Sequence, residues 1–160
     1  MRYGAALLSA VLWLAACAPQ FGQGYRDTSV PLGASARFET KDFVGDWVLV
    51  AAFDAPRGGQ VTFLTENEVL VITSPDLIEI EGRYRVGIPG ELLPTSIGQE
   101  TLVIMWVDED AEIAAFGVPS GRLGGVLDRD GRVPPDRAEA VRDILDFYGW
   151  RTQELKGLGT

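Results

Sequence analysis

The 160-residue chain has no histidine and one cysteine, Cys17. Histidine is the usual general base near neutral pH and the commonest metal ligand. Its absence removes Ser-His-Asp, Cys-His and histidine-based zinc chemistry. A single thiol rules out an intrachain disulfide and a cysteine-based zinc site. Positive charge is also scarce: 14 Lys and Arg stand against 23 Asp and Glu, a net charge of −9. Phosphate neutralisation needs clustered Lys and Arg, so the reading includes no nucleic-acid partner. Anionic headgroups would repel such a chain, so any membrane attachment must come from something other than a basic patch. Long apolar runs are missing too. The Ala5–Ala16 stretch falls short of the roughly 20 residues of a membrane-spanning helix. What remains is a hydrophobic content of 46% in a chain long enough for one domain.

Arg2 supplies a short positive region, and Leu7, Leu8, Val11, Leu12, Trp13 and Leu14 supply an apolar one. Together they read as a signal peptide over residues 1–16. Leu14-Ala15-Ala16-Cys17 then resembles the lipobox of bacterial lipoproteins. There a cysteine is acylated and becomes the first residue after cleavage. The only cysteine of the chain thus falls at the position where the anchor needs it. The resemblance implies a lipid-anchored protein of the bacterial cell envelope, held to the membrane through acyl chains on Cys17. Ala18, in place of an aspartate, favours the outer membrane with the domain facing the periplasm. Residues 17–37, rich in Gly, Pro, Gln and Ser and without periodicity, read as a flexible tether. Residues 38–160 read as the folded domain.

That domain is patterned as short strands. Trp47–Phe53, Val61–Leu64, Val69–Thr73, Glu79–Val86, Glu91–Leu93, Thr101–Val107, Ile113–Val118 and Arg122–Leu127 are strand-like runs separated by turn residues. Leu102–Val107 is apolar on both faces, so both faces are covered, one by a barrel interior and one by a helix. Pro134-Pro135 opens that helix, Ala138, Val141, Ile144, Leu145 and Tyr148 form its apolar stripe, and Gly149 closes it. The tail from Trp150 reads as frayed. Seven or eight strands in hairpin order predict a mostly β fold: a small up-and-down antiparallel barrel, which has no exposed edge, with one C-terminal helix outside it.

Gly45-Asp46-Trp47 resembles the first motif of the lipocalin family, a Gly-x-Trp at the start of the first strand. Thr101–Asp110, Ala114–Ser120 and Gly124–Arg129 are similar to that family's last strands and the basic residue that closes them. The helix and Tyr148–Leu155 are similar to the end of bacterial lipocalin lipoproteins. The resemblance spans residues 38–156. It implies that Arg129 lies across the Trp47 indole at the barrel floor, beside Gly45. The turn Asp108-Glu109-Asp110-Ala111 departs from the family's second motif, which carries an aromatic there.

The resemblance also implies a small hydrophobic ligand, such as a fatty acid or lysophospholipid, bound in the barrel. Leu49, Ala51, Phe63, Val71, Met105, Trp106 and Phe116 are its candidate lining. The other reading makes these residues core. The protein is then a structural or interaction lipoprotein of the envelope with a small filled barrel. No catalytic set, cofactor or metal site emerges, and the chain is read as a non-enzyme. Asp108/Asp110 and Asp128/Asp130 sit at predicted turns, where aspartate serves local hydrogen bonds. Ser120 has no histidine to activate it.

Overall fold

The structure, a computed structural model, describes residues 24–158. The signal-peptide segment and Cys17 lie outside the described residues. After a short helix α1 (Thr40–Phe43) come strands β1 (Gly45–Ala52), β2 (Gln60–Glu66), β3 (Val69–Thr73), β4 (Gly82–Val86), β5 (Glu91–Pro94), β6 (Leu102–Val107), β7 (Ile113–Gly117) and β8 (Gly124–Asp128). Helix α2 (Pro135–Phe147) follows. Each strand pairs antiparallel with the next, and β8 returns to β1, so the sheet closes on itself as an eight-stranded up-and-down barrel. Closure leaves no open edge among these strands to pair with another chain.

Local chemistry explains most of the turns. Asn67 and Glu68 join β2 to β3 with φ of 49° and 66°, the twist a two-residue hairpin requires. The 74–81 segment, expected to begin a strand at Glu79, instead carries a 3-10 turn over Ile78–Ile80 before β4. The Ser74 amide donates to the Glu81 carboxylate at 2.8 Å across this turn. Asp108 accepts from the Glu112 and Ile113 amides, and Asp128 from those of Asp130 and Arg132.

Two hydrophobic clusters form, one on each side of the barrel wall. The interior cluster includes Trp47, Leu49, Phe63, Leu70, Ile72, Tyr84, Leu102, Ile104, Phe116 and Leu127. The outer cluster joins Ala51, Phe53, Val103, Met105, Ile113, Ala115 and Val126 to the helix residues Ala138, Val141 and Leu145. β6 therefore feeds both clusters, as its two-faced apolarity required. Proline at the helix start and the stripe through Ala138, Val141 and Leu145 put α2 where the sequence placed it, against the outside of the wall.

Two expectations are corrected. The segment read as a tether is, from residue 24 to 37, a strap lying along the barrel. The Tyr25 amide donates to the Gly121 carbonyl at 2.7 Å, the Asp27 amide to Gly149 at 2.8 Å, and the Ser35 amide to Ile104 at 2.8 Å. Arg26, only 2% exposed, donates to the carbonyls of Tyr148 and Pro119 at 2.9 Å each and to that of Val30. A composition without periodicity does not show that a segment's backbone groups find partners elsewhere.

The tail is docked rather than frayed. Trp150 is 2% exposed and stacks on Phe53 with centroids 5.0 Å apart. Its ring fills a notch left by Gly117 and Gly124, which face each other across β7 and β8. A Cβ on either glycine would fall inside the indole. Lys156 then bridges Ala52.

Replacing Trp150→Ala removes this wedge and should destabilise the domain by about 3–5 kcal/mol in urea unfolding. Gly117→Val should be destabilising too, because it fills the notch. A tail of no structural consequence would leave the midpoint unchanged in both.

Candidate functional site

The floor of the barrel is built where β1 begins. Gly45 has φ of +113°, a conformation open to glycine, and the Arg129 guanidinium lies where a side chain would project. The Gly of Gly-x-Trp is therefore required twice, once by the backbone and once by its neighbour. Trp47 is fully buried and its Nε1–H donates to the Phe43 carbonyl at 2.9 Å. The Arg129 guanidinium carbon sits 3.9 Å from the Trp47 ring centroid. Gly45, Trp47 and Arg129 are thus brought together at one end of the barrel.

Arg129 does more than cover the indole. It donates to the carbonyls of Asp42 at 2.5 Å, Asp46 at 3.0 Å and Val44 at 3.3 Å. Those groups flank the end of α1, where helix geometry leaves carbonyls without intrahelical partners. Burial draws the arginine's pKa down, and the carboxylates of Glu112 and Asp46 oppose that.

Above the floor the interior is aromatic. Phe43 stacks on Trp47 at 4.7 Å and meets Phe63 edge-on at 5.3 Å, and Phe38 packs on Phe43 at 4.7 Å. Phe38 and Phe43 were missed as site residues. Their signal was present in two aromatics just before Gly-x-Trp. Tyr84 hangs into the same cluster, its hydroxyl donating to the Ile80 carbonyl at 2.9 Å and accepting from Gln99 Nε2 at 2.6 Å. Burial pushes the Tyr84 phenol up to about 12, the Gln99 hydrogen bond opposing it.

The candidate lining residues separate. Leu49, Phe63 and Phe116 belong to the interior cluster. Ala51 and Met105 belong to the outer one, and Trp106 packs against it. Val71 is half-buried between the interior residues Leu70 and Ile72, on the alternate face. Met105 follows the inward Ile104 in ordinary alternation and so faces out. The cause for Ala51 and Trp106 is a β-bulge in each of two strands, where the register shifts between Leu49 and Ala51 and between Ile104 and Trp106. One extra residue places two consecutive side chains on one face and inverts the alternation beyond it.

The three that do face inward are fully packed. Leu49, Phe63 and Phe116 are each 0% exposed, and the interior cluster as a whole does not exceed 5%. The walls of a chamber wide enough for water would keep accessible surface, so the described interior is occupied by its own side chains. A groove of about 430 Å³ lies outside the barrel between β1, α2 and the tail, lined by Val48, Val50, Arg57, Val133, Ala138 and Leu158. The predicted turn carboxylates are engaged: Arg137 bridges Asp108 and Asp110. Among the described residues no three His, Cys, Asp or Glu side chains group as metal ligands.

With this geometry in hand, comparison defines the class. The fold is lipocalin-like. The bovine lipocalin allergen Bos d 2 superposes with a TM-score of 0.57 at 14% identity, over 76% of this chain and 95% of that one. The cockroach allergen Per a 4 gives 0.55 at 16% identity, over 81% and 93%. Lobster apocrustacyanin A1 gives 0.54 at 13% identity, over 79% and 87%. No protein-family model and no curated protein matches the sequence.

Arg129→Ala should lower stability by roughly 1–3 kcal/mol, through loss of the cation–π contact and of a donor to three carbonyls. Arg129→Lys should recover only part, since an ammonium cannot both lie flat on an indole and fork to separated acceptors. Equal unfolding midpoints for wild type and Arg129→Ala would show that the floor is closed without it.

Tyr84 gives a pH test. Its folded pKa is raised, so the stability it contributes is complete below pH 10 and is lost as pH rises from about 10 to 12. Phenolate absorbance should show a tyrosine step near pH 12, and Tyr84→Phe should abolish it.

Proposed function

We propose that this chain is a lipid-anchored protein of the bacterial envelope whose lipocalin-like barrel is a filled, rigid body for contact with another macromolecule. One observation carries the reading: the residues lining the barrel interior are packed against one another, with Leu49, Phe63 and Phe116 at 0% exposure. A carrier needs concave apolar space of a few hundred Å³, and an interior of close-packed aromatics offers none. The work of such a protein falls to its outer surface and to the place where it is held. The lipobox-like Leu14-Ala15-Ala16-Cys17 supports attachment through acyl chains, with the outer membrane and a periplasm-facing domain as its setting. No catalytic role is part of the proposal: the chain has no histidine, and Asp108 and Asp110 are tied to Arg137.

The second reading is carriage of a fatty acid, lysophospholipid or similar amphiphile inside the barrel, and the lipocalin-like fold favours it. It requires Phe43, Phe63 or Phe116 to leave the interior as the ligand enters.

Native mass spectrometry of gently purified full-length protein separates the two. The filled-barrel reading expects the mass of the polypeptide and its covalent acyl groups, and no stoichiometric binding of an environment-sensitive fatty-acid probe. A co-purifying lipid at one per chain, displaced by that probe, reverses the conclusion.

A further inference from the structure

The two ends of the barrel are not alike. The floor end carries Trp47 and Arg129. The other end is a rim made by the loops β1–β2, β3–β4, β5–β6 and β7–β8, and three of these loops are stitched together. Gln99 Nε2, from β5–β6, donates to the Glu81 carbonyl of β3–β4 at 2.9 Å and to the Tyr84 hydroxyl at 2.6 Å. Glu100, the next residue, accepts from the Ser120 hydroxyl at 2.9 Å and from the Ser120 amide at 3.1 Å, and pairs with Arg122 at 2.5 Å, both in β7–β8. The strap begins at the same place, where the Tyr25 amide meets the Gly121 carbonyl. From there residues 26–37 run down the wall towards the floor.

The described chain therefore begins at the rim. Cys17 is seven residues before Gly24, and seven residues reach at most about 25 Å when fully extended. An acyl group on Cys17 holds the rim that close to the bilayer.

The rim also displays apolar side chains that the fold does not use. Ile97, at the tip of β5–β6 between Ser96 and Gly98, is fully exposed at 107%, and Ile78, in the adjoining β3–β4 loop, is 67% exposed. Phe147, 72% exposed, ends α2 beside Tyr148 and Gly149, the residues that hold Arg26 and Asp27. Ile88, in the β4–β5 loop at the floor end, is 61% exposed.

We infer that the rim of the barrel faces the membrane and that Ile97, with Ile78 beside it, inserts into the lipid surface, so that the floor end points away from the bilayer. This rests on the acyl anchor proposed above. Isolated isoleucines at loop tips, with Glu79 beside Ile78 and the nearby Arg122 paired to Glu100, suit the interface of a zwitterionic bilayer, where the burial of apolar side chains is the attraction. With Ile97 seated and Cys17 acylated, the protein has two points of attachment, which sets an orientation that one flexible anchor does not.

The test uses the full chain, acylated and reconstituted into phosphatidylethanolamine/phosphatidylcholine vesicles. Single substitutions Ile97→Cys, Ile78→Cys and Ile88→Cys are labelled with a thiol-reactive nitrobenzoxadiazole dye, acylated Cys17 being unreactive. The N-terminal peptide is weighed in parallel. The dye at 97 and 78 should shift to the blue and be quenched at least about twofold by lipids bearing an acyl-chain nitroxide, as expected for burial at the headgroup boundary, while the dye at 88 reads as aqueous. Aqueous signals at 97 and 78 with Cys17 acylated, or quenching at 88 instead, overturn the orientation and leave the anchor standing. An N-terminal peptide without acyl mass removes the anchor, and the orientation fails with it.

Discussion

The structure depends on how the floor of the barrel is closed. A rolled sheet has two open ends, and at one of them Trp47 presents a large indole with a single polar atom. That atom donates to the Phe43 carbonyl, and the guanidinium of Arg129 sits over the ring, 3.9 Å from its centroid. The same guanidinium takes up the carbonyls of Asp42, Val44 and Asp46 around α1. One side chain thus joins β8 to the start of β1 and satisfies backbone groups that would otherwise lack partners. Gly45 permits the approach because it has no Cβ in the way. From this seal the aromatic ladder of Phe38, Phe43 and Phe63 rises into the interior.

What sits in the interior decides what kind of object the barrel is. Eight strands enclose a volume that side chains can fill or a small ligand can occupy. Here aromatic and branched aliphatic residues fill it, and the polar exception, Tyr84, is satisfied by Ile80 and Gln99. The outer wall is equally specific in its packing. The notch between Gly117 and Gly124 admits Trp150, and Arg26 is buried among three carbonyl acceptors from different parts of the chain. The strap and the tail are therefore parts of the fold. They tie its N-terminal stretch to the rim loop at Gly121 and to the end of α2, and so give the molecule a polarity from rim to floor.

That polarity connects structure to the proposed role. A barrel without interior space acts through its surface, and a surface acts according to how it is held. The strap carries the chain from the rim down to the floor before the first strand begins, so the barrel's two ends stand in different relations to whatever precedes residue 24. The exposed isoleucines of the rim loops contribute nothing to the interior, while Gln99 and Glu100 hold those loops in fixed relation to each other.

Much of this was written locally. Turn chemistry and short apolar runs determined the number and order of the strands, and nearest-neighbour hairpins then leave closure as the way to remove edges. The proline-led stripe at Ala138, Val141 and Leu145 placed the helix, and Gly45, Trp47 and Arg129 marked the floor, because each of these signals is a property of a few adjacent residues or of one motif. The tertiary structure alone decided which side chains face inward and which segments dock. Ala51 and Trp106 turned outward because bulges in β1 and β6 each add one residue, a shift that strand pairing sets and alternation cannot register. Arg26 and Trp150 carry no periodic signal, since their partners, Pro119 and Tyr148 for one and Gly117 and Gly124 for the other, are distant in sequence and meet them only once the barrel has closed.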